Sequence, residues 1–409
     1  MKPLEGIRVL DFSQAMMAPL AAMMLGDMGA DVIKIERLQG EAIRHGRAAA
    51  MDDIYKDELE QEEFIDHSIW LCVNRSKRSL PLDVRQEEGR EIALKLIQKA
   101  DVMIQNFRPG VIERLRLDYK TVSEMNPGII YCSVYGFGEI GPLVHRIGGD
   151  MWSQAMSGMV SLTGTPNGAP TLVPFLLVDH CGGILTAYAI MMALFIRERT
   201  GVGQEVVVNQ LDTAMWLQTT ELSRYLIDGE MLHKTGRGGT PPRGAYPVKD
   251  GDIATIFGLD PLWGRFCQVL GLEHLIDDPR FKNDEARSEH AEELYPLLDE
   301  AFGKKTRAEW QQLFREARLR CDPALTYEEL CSHPQTEAND AIVSVNHLAR
   351  GKMKMLNVPF KLRKTPVEVQ VPPPLLGQHS REILAELGYT PTEMEKLREQ
   401  GIVKFTKSG

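Results

Sequence analysis

Residues 7–36 alternate in a way that few folds accommodate. Ile7–Phe12 is a short apolar run that predicts a strand, Ala18–Met28 predicts a helix, and Asp31–Glu36 predicts a second strand. A strand, a helix and a strand joined by short turns form a βαβ unit, whose right-handed crossover leaves the two strands parallel. The alternation continues with a strand near Leu80–Leu82, a helix over Glu87–Ala100, a strand over Val102–Gln105 and a helical turn over Gly110–Leu115. Strands follow at Ile129–Val134 and Glu205–Asn209, the latter leading into a helix that contains Met215 and Trp216. This order predicts a doubly wound α/β domain. The turn after the first strand, SQAMMAP, has no GxGxxG. Without those glycines a pyrophosphate cannot approach the backbone, which argues against an ordinary NAD site.

The chain has 409 residues, enough for two domains. The Gly- and Pro-rich stretch His233–Gly251 predicts a loop and hairpin. A strand at Ile253–Phe257 and amphipathic helices at Trp263–Leu270 and Arg307–Glu316 follow. The expected division is a large domain over 1–225, a smaller α+β domain over 226–330, and a return to the large domain over 331–409. In the returning part, Ile342–Val371 is expected to be β-rich.

With 25% charged residues and a net charge of −10, the composition is that of a soluble globular protein and argues against general nucleic-acid binding. The six cysteines, Cys72, Cys132, Cys181, Cys267, Cys321 and Cys331, show no metal-ligand spacing and predict reduced, mostly buried thiols of a cytoplasmic protein. No signal peptide is expected, because Asp11 and Asp27 interrupt the apolar start. The most apolar helix, Ile184–Ile196, is too short to span a bilayer comfortably, so no membrane partner is expected. Glu41–Asp66 is strongly acidic and is expected to form a solvated loop or short helix.

One carboxylate stands out. In TLVPFLLVDHCGGILTAYAIMMALFIRER, Leu172–Val178 predicts a buried strand ended by Asp179, and a helix follows Gly182 and Gly183. Asp179 is then either a helix N-cap or a nucleophile or base held on rigid elements. Other candidates are the cationic run Asn74–Ser79, the segment Gln105–Gly110 with Arg114, the loop Tyr135–Pro142 and the glycine loop Gly236–Gly239. Ligands of open α/β sheets sit beyond the carboxyl ends of strands, where several of these segments fall. Arg and Lys there suit phosphates. No HExxH, clustered His set or GxSxG is present, so no metal site is expected.

Five segments taken together, DFSQAMMAPLAAMMLGDMGADVIKIE, NRSKRSLPLD, ADVMIQNFRPGVIERL, NPGIIYCSVYGFGEIGP and PPLLGQHSREILAELG, resemble the class III CoA-transferases. This is the CaiB/BaiF family, which includes formyl-CoA transferase. The resemblance runs from Leu4 to Gly388. It implies a Rossmann-like large domain built from both chain ends, a small domain, and two subunits interlocked as a homodimer. It places the catalytic carboxylate on Asp179, which would pass through aspartyl anhydride and aspartyl-CoA thioester states. The implied substrates are an acyl-CoA and a carboxylic acid, with no permanently bound cofactor.

The resemblance also carries Arg37, Asn106, Phe107 and Arg114 onto positions that hold the CoA nucleotide, with Lys77 and Arg78 close by. Met16, Tyr135 and Phe137 occupy positions where formyl-CoA transferase has a polar acceptor pocket, so a bulkier acid is expected here, and Tyr135 is also expected among the CoA-binding residues. Gly238 and Gly239 fall in a glycine loop that closes over the intermediates in that enzyme. Gly182 and Gly183 are expected to leave room for the intermediates, and the free N–H groups of the following helix to favour the charge on Asp179. Two alternatives remain. An α-methylacyl-CoA racemase would need the histidine of a GHD motif, where this chain has Gly148-Gly149-Asp150. The chain could also be one subunit of a heteromeric transferase.

Overall fold

The computed structural model describes residues 2–46, 66–234, 236–237, 239–255 and 260–406. The chain divides into two compact units. The first comprises Met1–Gly158, Val173–Leu222 and Asn339–Gly409, and the second Met159–Leu172 and Ser223–Ala338. Met159–Leu172, expected from the sequence in the large domain, groups with the second unit, and the chain re-enters the first at Asn339.

The first unit is built on a six-stranded parallel sheet of β1 (Arg8–Asp11), β2 (Asp31–Glu36), β3 (Lys77–Pro81), β4 (Val102–Gln105), β5 (Ile130–Tyr135) and β6 (Gln204–Asn209). Its order is β3-β2-β1-β4-β5-β6, the arrangement of a dinucleotide-binding sheet, with the strand order reversing between β1 and β4. Side chains alternate between two layers as the pleat requires. Leu10, Ile33, Leu80 and Met103 face the helix Glu87–Ile97 and the chain end, whose Ile383, Leu384, Met394 and Leu397 complete that core. Val9, Val32, Val102, Ile130 and Val134 face the helices Met17–Asp27 and Leu177–Thr200.

The second unit holds an antiparallel sheet of β7 (Gly244–Val248), β8 (Gly251–Thr255) and β9 (Cys321–Ala324). Tyr246, Trp263, Phe266, Phe302, Trp310 and Phe314 make its aromatic core. The expected strand at Ile253–Phe257 is described as far as Thr255; its remainder lies outside the described residues. Back in the first unit, β10 (Ile342–His347) and β11 (Gly351–Leu356) form an antiparallel hairpin, all that becomes strand within the expected β-rich stretch.

Leu172–Val178 is not a strand. Pro174 has no N–H to give a ladder, and the amides of Val173 and Val178 go to side chains, Gln154 Oε1 at 2.9 Å and Asp150 Oδ2 at 2.7 Å. The helix begins at Leu177 and runs 24 residues, longer than the apolar core suggested and long enough by composition to cross a membrane. Its residues Asp179, Gly182, Gly183, Thr186, Ala187, Ile190, Ala193 and Leu194 nevertheless form one buried stripe at helical spacing. Of the acidic segment, residues 47–65 lie outside the described residues. Glu41 and Asp66, at its ends, are buried instead of solvated, because Lys34 pairs with Glu41 at 3.3 Å and Arg44 with Asp66 at 2.9 Å.

Candidate active site

Asp179 lies in the first turn of the long helix, in its buried stripe and 8% exposed. It is not the N-cap; Leu176 is. The capping is done from outside, by Asp150, which opens the helix Asp150–Met156. Asp150 Oδ2 accepts the free amides of Val178 at 2.7 Å and Asp179 at 3.0 Å. Helix N–H groups expected to serve Asp179 are therefore taken by Asp150. What reaches Asp179 instead is the Gln210 amide, whose Nε2 donates to Oδ1 at 2.5 Å. Gln210 is the first residue after β6, so the sheet delivers it. Burial pushes Asp179 up to about 6, the negative charge of Asp150 adds to this, and the Gln210 hydrogen bond opposes it.

Neighbouring glycines make the site compact. A Cβ on Gly136 would sit 2.4 Å from the Gly148 Cα, and one on Gly148 would sit 2.7 Å from Gln210 Oε1. Gly149 faces the Trp152 ring, which a Cβ there would meet at 2.8 Å. Gly182 and Gly183 do not leave room for a ligand. Their missing side chains are replaced by the helix Met17–Asp27: a Cβ on Gly182 would meet Met17 Cε at 2.5 Å, and one on Gly183 the Met17 carbonyl at 2.7 Å. These glycines let two helices approach.

The strand reversal between β1 and β4 opens the crevice where open sheets take ligands. Asn106 bridges its two lips: Oδ1 accepts from Gln14 N at 2.8 Å and Nδ2 donates to Gln14 O at 2.8 Å. Its amide is engaged with the protein on both sides, so it shapes the crevice. Phe107 is half-buried and packs on the core, its amide bonded to Gln105 Oε1 at 2.8 Å. Arg37, just past β2, and Arg114, at the end of the helix Val111–Arg114, are exposed. Tyr135 ends β5, half-buried, and burial pushes its hydroxyl up. Met16 is buried, 6% exposed, against Ile43, Trp70 and Leu71, as core and not as an open pocket wall.

The cationic run is an ion-pair strip. Lys77 and Arg78 lie within β3, where the sequence placed them before a strand. Lys77 is fully buried and donates to Asp11 Oδ2, Asn74 Oδ1 and the Pro19 carbonyl, each at 2.8 Å. Arg78 pairs with Asp31 at 2.7 Å and with Glu386 at 2.6 Å, tying β2 and β3 to the chain end. Arg75 pairs with Asp27 at 2.8 Å. Each cation already has its carboxylate, which takes Lys77 and Arg78 out of the set available to a phosphate.

In the second unit, Arg237 pairs with Asp299 at 2.6 Å, and the Gly239 carbonyl accepts from the Tyr295 hydroxyl at 3.0 Å. Gly238 lies outside the described residues.

Sequence reasoning missed Asp150 and Gln210. For Asp150 the signal was local, an Asp after two glycines opening a helical pattern. Gln210 gave none, since a glutamine after a strand is ordinary until the fold sets it beside a carboxylate.

A model of CoA-transferase family III matches residues 4–380. The mouse succinyl-CoA:glutarate CoA-transferase is 32% identical over 408 residues, covering 99% of this chain and 91% of that protein. An acyl-CoA transferase of Fusarium pseudograminearum is 34% identical, covering 98% of this chain and 88% of its own length. The solved structure of Rv3272 from M. tuberculosis shares 33% identity at a TM-score of 0.79 and covers 94% of this chain and 99% of that one. A CaiB/BaiF family protein from Brucella suis shares 29% at a TM-score of 0.82, covering 94% of this chain and 99% of its own. Matched over nearly its whole length, the chain belongs to CoA-transferase family III.

Proposed function

We propose that this protein moves CoA from an acyl-CoA donor to a carboxylic acid acceptor, with Asp179 as the nucleophile. The carrying observation is Asp179 itself, a buried carboxylate in a helix's first turn with one amide on Oδ1. Among the described residues its Oδ2 has no hydrogen bond. An Asp179 oxygen attacks the thioester carbonyl, the C–S bond breaks, and an aspartyl anhydride and CoA thiolate result. The thiolate attacks Asp179 Cγ, expelling the donor carboxylate and leaving an aspartyl-CoA thioester. The acceptor carboxylate attacks that thioester, releasing thiolate and forming a second anhydride. Thiolate attack on the acceptor's acyl carbon then frees the new acyl-CoA and restores Asp179. No proton is gained or lost over the cycle, and covalent catalysis splits one hard step into easier ones.

Arg37 and Arg114 are our choice for the CoA phosphates, with Phe107 and Tyr135 along the crevice. Relatives named for succinyl-CoA, glutarate and D-citramalate make succinyl-CoA and a dicarboxylate the first pair to assay. A homodimer fits the exposed apolar face of the long helix, formed by Ile184, Tyr188, Met192 and Phe195. The six free thiols fit a reducing compartment such as the cytoplasm. Nothing favours the racemase, since the Trp152 ring fills the side-chain space at Gly149.

Incubation with succinyl-CoA, acid quench and digestion should leave a CoA adduct on the Asp179 peptide. Asp179→Ala should abolish both adduct and transfer while CoA still binds. Undiminished transfer by that variant rejects the assignment.

A further inference from the structure

We infer that Gln210 is a catalytic residue, its side-chain amide being the oxyanion donor for every attack at the Asp179 carbonyl carbon. The inference rests on Asp179 as nucleophile and goes beyond it by assigning the two carboxylate oxygens different fates.

Among the described residues Gln210 Nε2 is the one donor to Asp179, and it binds Oδ1. No hydrogen bond among the described residues is made to Oδ2. Oδ2 is therefore the oxygen that attacks the donor acyl group and becomes the bridging oxygen of the anhydride, while Oδ1 remains as the carbonyl oxygen. When CoA thiolate then attacks Cγ, the electron pair of the Cγ–Oδ1 π bond moves onto Oδ1. The tetrahedral adduct collapses by breaking the Cγ–Oδ2 bond, and the donor acid departs with Oδ2. Acceptor attack on the thioester again places negative charge on Oδ1. An N–H already aimed at that oxygen needs no reorganisation when the charge develops, the condition under which such donors are most effective.

The state of the glutamine itself argues against a merely structural role. Gln210 is 8% exposed, and its Oε1 is buried with no partner among the described residues. The large majority of buried side-chain polar atoms have a hydrogen-bond partner, and an exception calls for an explanation such as a catalytic role. Here the end facing Asp179 is satisfied and the other is not, while the close approach of Gly136 and Gly148 packs beside it without contributing a donor. Asp150, the other carboxylate of the site, cannot take over, being an acceptor engaged with the amides of Val178 and Asp179.

The test uses the full chain with succinyl-CoA, comparing the parent with Gln210→Met, which keeps length and removes the donor. Gln210→Asn, which withdraws the amide, is the second variant, read in the same way if the first fails to fold. Folding is checked by near-ultraviolet circular dichroism and CoA binding by calorimetry. The expected result is a kcat lowered about 100- to 1,000-fold, with KM for the acyl-CoA within about threefold of the parent. In rapid-quench experiments the burst of free CoA from anhydride formation should persist, while the CoA adduct on Asp179 forms about 100-fold more slowly. A folded variant with kcat within about threefold of the parent overturns the inference. So does equal slowing of the burst and the adduct. If Asp179→Ala is inactive and Gln210→Met is fully active, only this inference falls; if Asp179→Ala is active, the nucleophile assignment falls first.

Discussion

Asp179 is held at a price in stability that the proposed chemistry requires. A carboxylate taken out of water and set beside Asp150 is pushed from its ordinary 3.8 to about 6, and only Gln210 and the nearby His180 pull it back. The nucleophile we propose must be ionised, so kcat/KM should rise through an acid limb near pH 6 as Asp179 loses its proton, with Asp150, His180 and Gln210 as the groups that set the limb. A pH–rate profile that is flat from pH 5 to 7 would contradict this. The same shift makes a stability statement. The folded state binds this proton more tightly than the unfolded chain, so the penalty is absent below pH 3.8 and complete above about 6. A rise of that size corresponds to about 3 kcal/mol. Asp179→Asn should therefore be inactive yet more stable than the parent at pH 7 by about 1–3 kcal/mol in urea titrations, the difference vanishing near pH 4.

At the scale of elements, the long helix serves two purposes along one stripe. Its first turn presents Asp179, and the next turn supplies Gly182 and Gly183 for contact with the helix Met17–Asp27. That contact fixes Asp179 relative to the β1 turn. Gly183→Ala puts a Cβ 2.7 Å from a backbone carbonyl and 2.9 Å from the Leu20 Cβ, neither able to yield freely. It should cost about 1–3 kcal/mol of stability by overpacking, measured as a lowered denaturation midpoint. Gly182→Ala meets only the end of the flexible Met17 side chain and should cost less. From the sequence, both glycines read as space for a ligand. Two consecutive glycines look the same whether a ligand or a helix fills the gap, and only packing tells them apart. Leu172–Val178 misleads for a related reason: a short apolar run fits strand and helix entry alike until the partners of its amides are known. In the run from Asn74 to Arg78, adjacent cations look like an anion site, whereas Asp11, Asp27 and Asp31, distant in sequence, neutralise them.

For the molecule as a whole, the face of the long helix opposite Asp179 leaves Ile184, Tyr188, Met192, Phe195 and Ile196 exposed, more apolar surface than a solitary helix face usually presents to water. A second copy of the chain is the partner we assign to it. The protein should sediment at twice the 45.9 kDa of the chain, and Tyr188→Glu should lower the assembled fraction. A fully active parent at monomer mass would reject the assignment.

The order of strands and helices around the six-stranded sheet was legible in the sequence, because hydrophobic period and turn residues are local properties and parallel crossovers have one hand. The prominence of Asp179 was legible too, as a lone charge in an apolar run. Tertiary structure alone decided what surrounds it. The cap that Asp150 supplies, the amide that Gln210 offers and the pairing of Arg75, Lys77 and Arg78 with their aspartates join residues dozens of positions apart. Sequence distance carries no record of such meetings; they exist only once the sheet has brought the ends of its strands together.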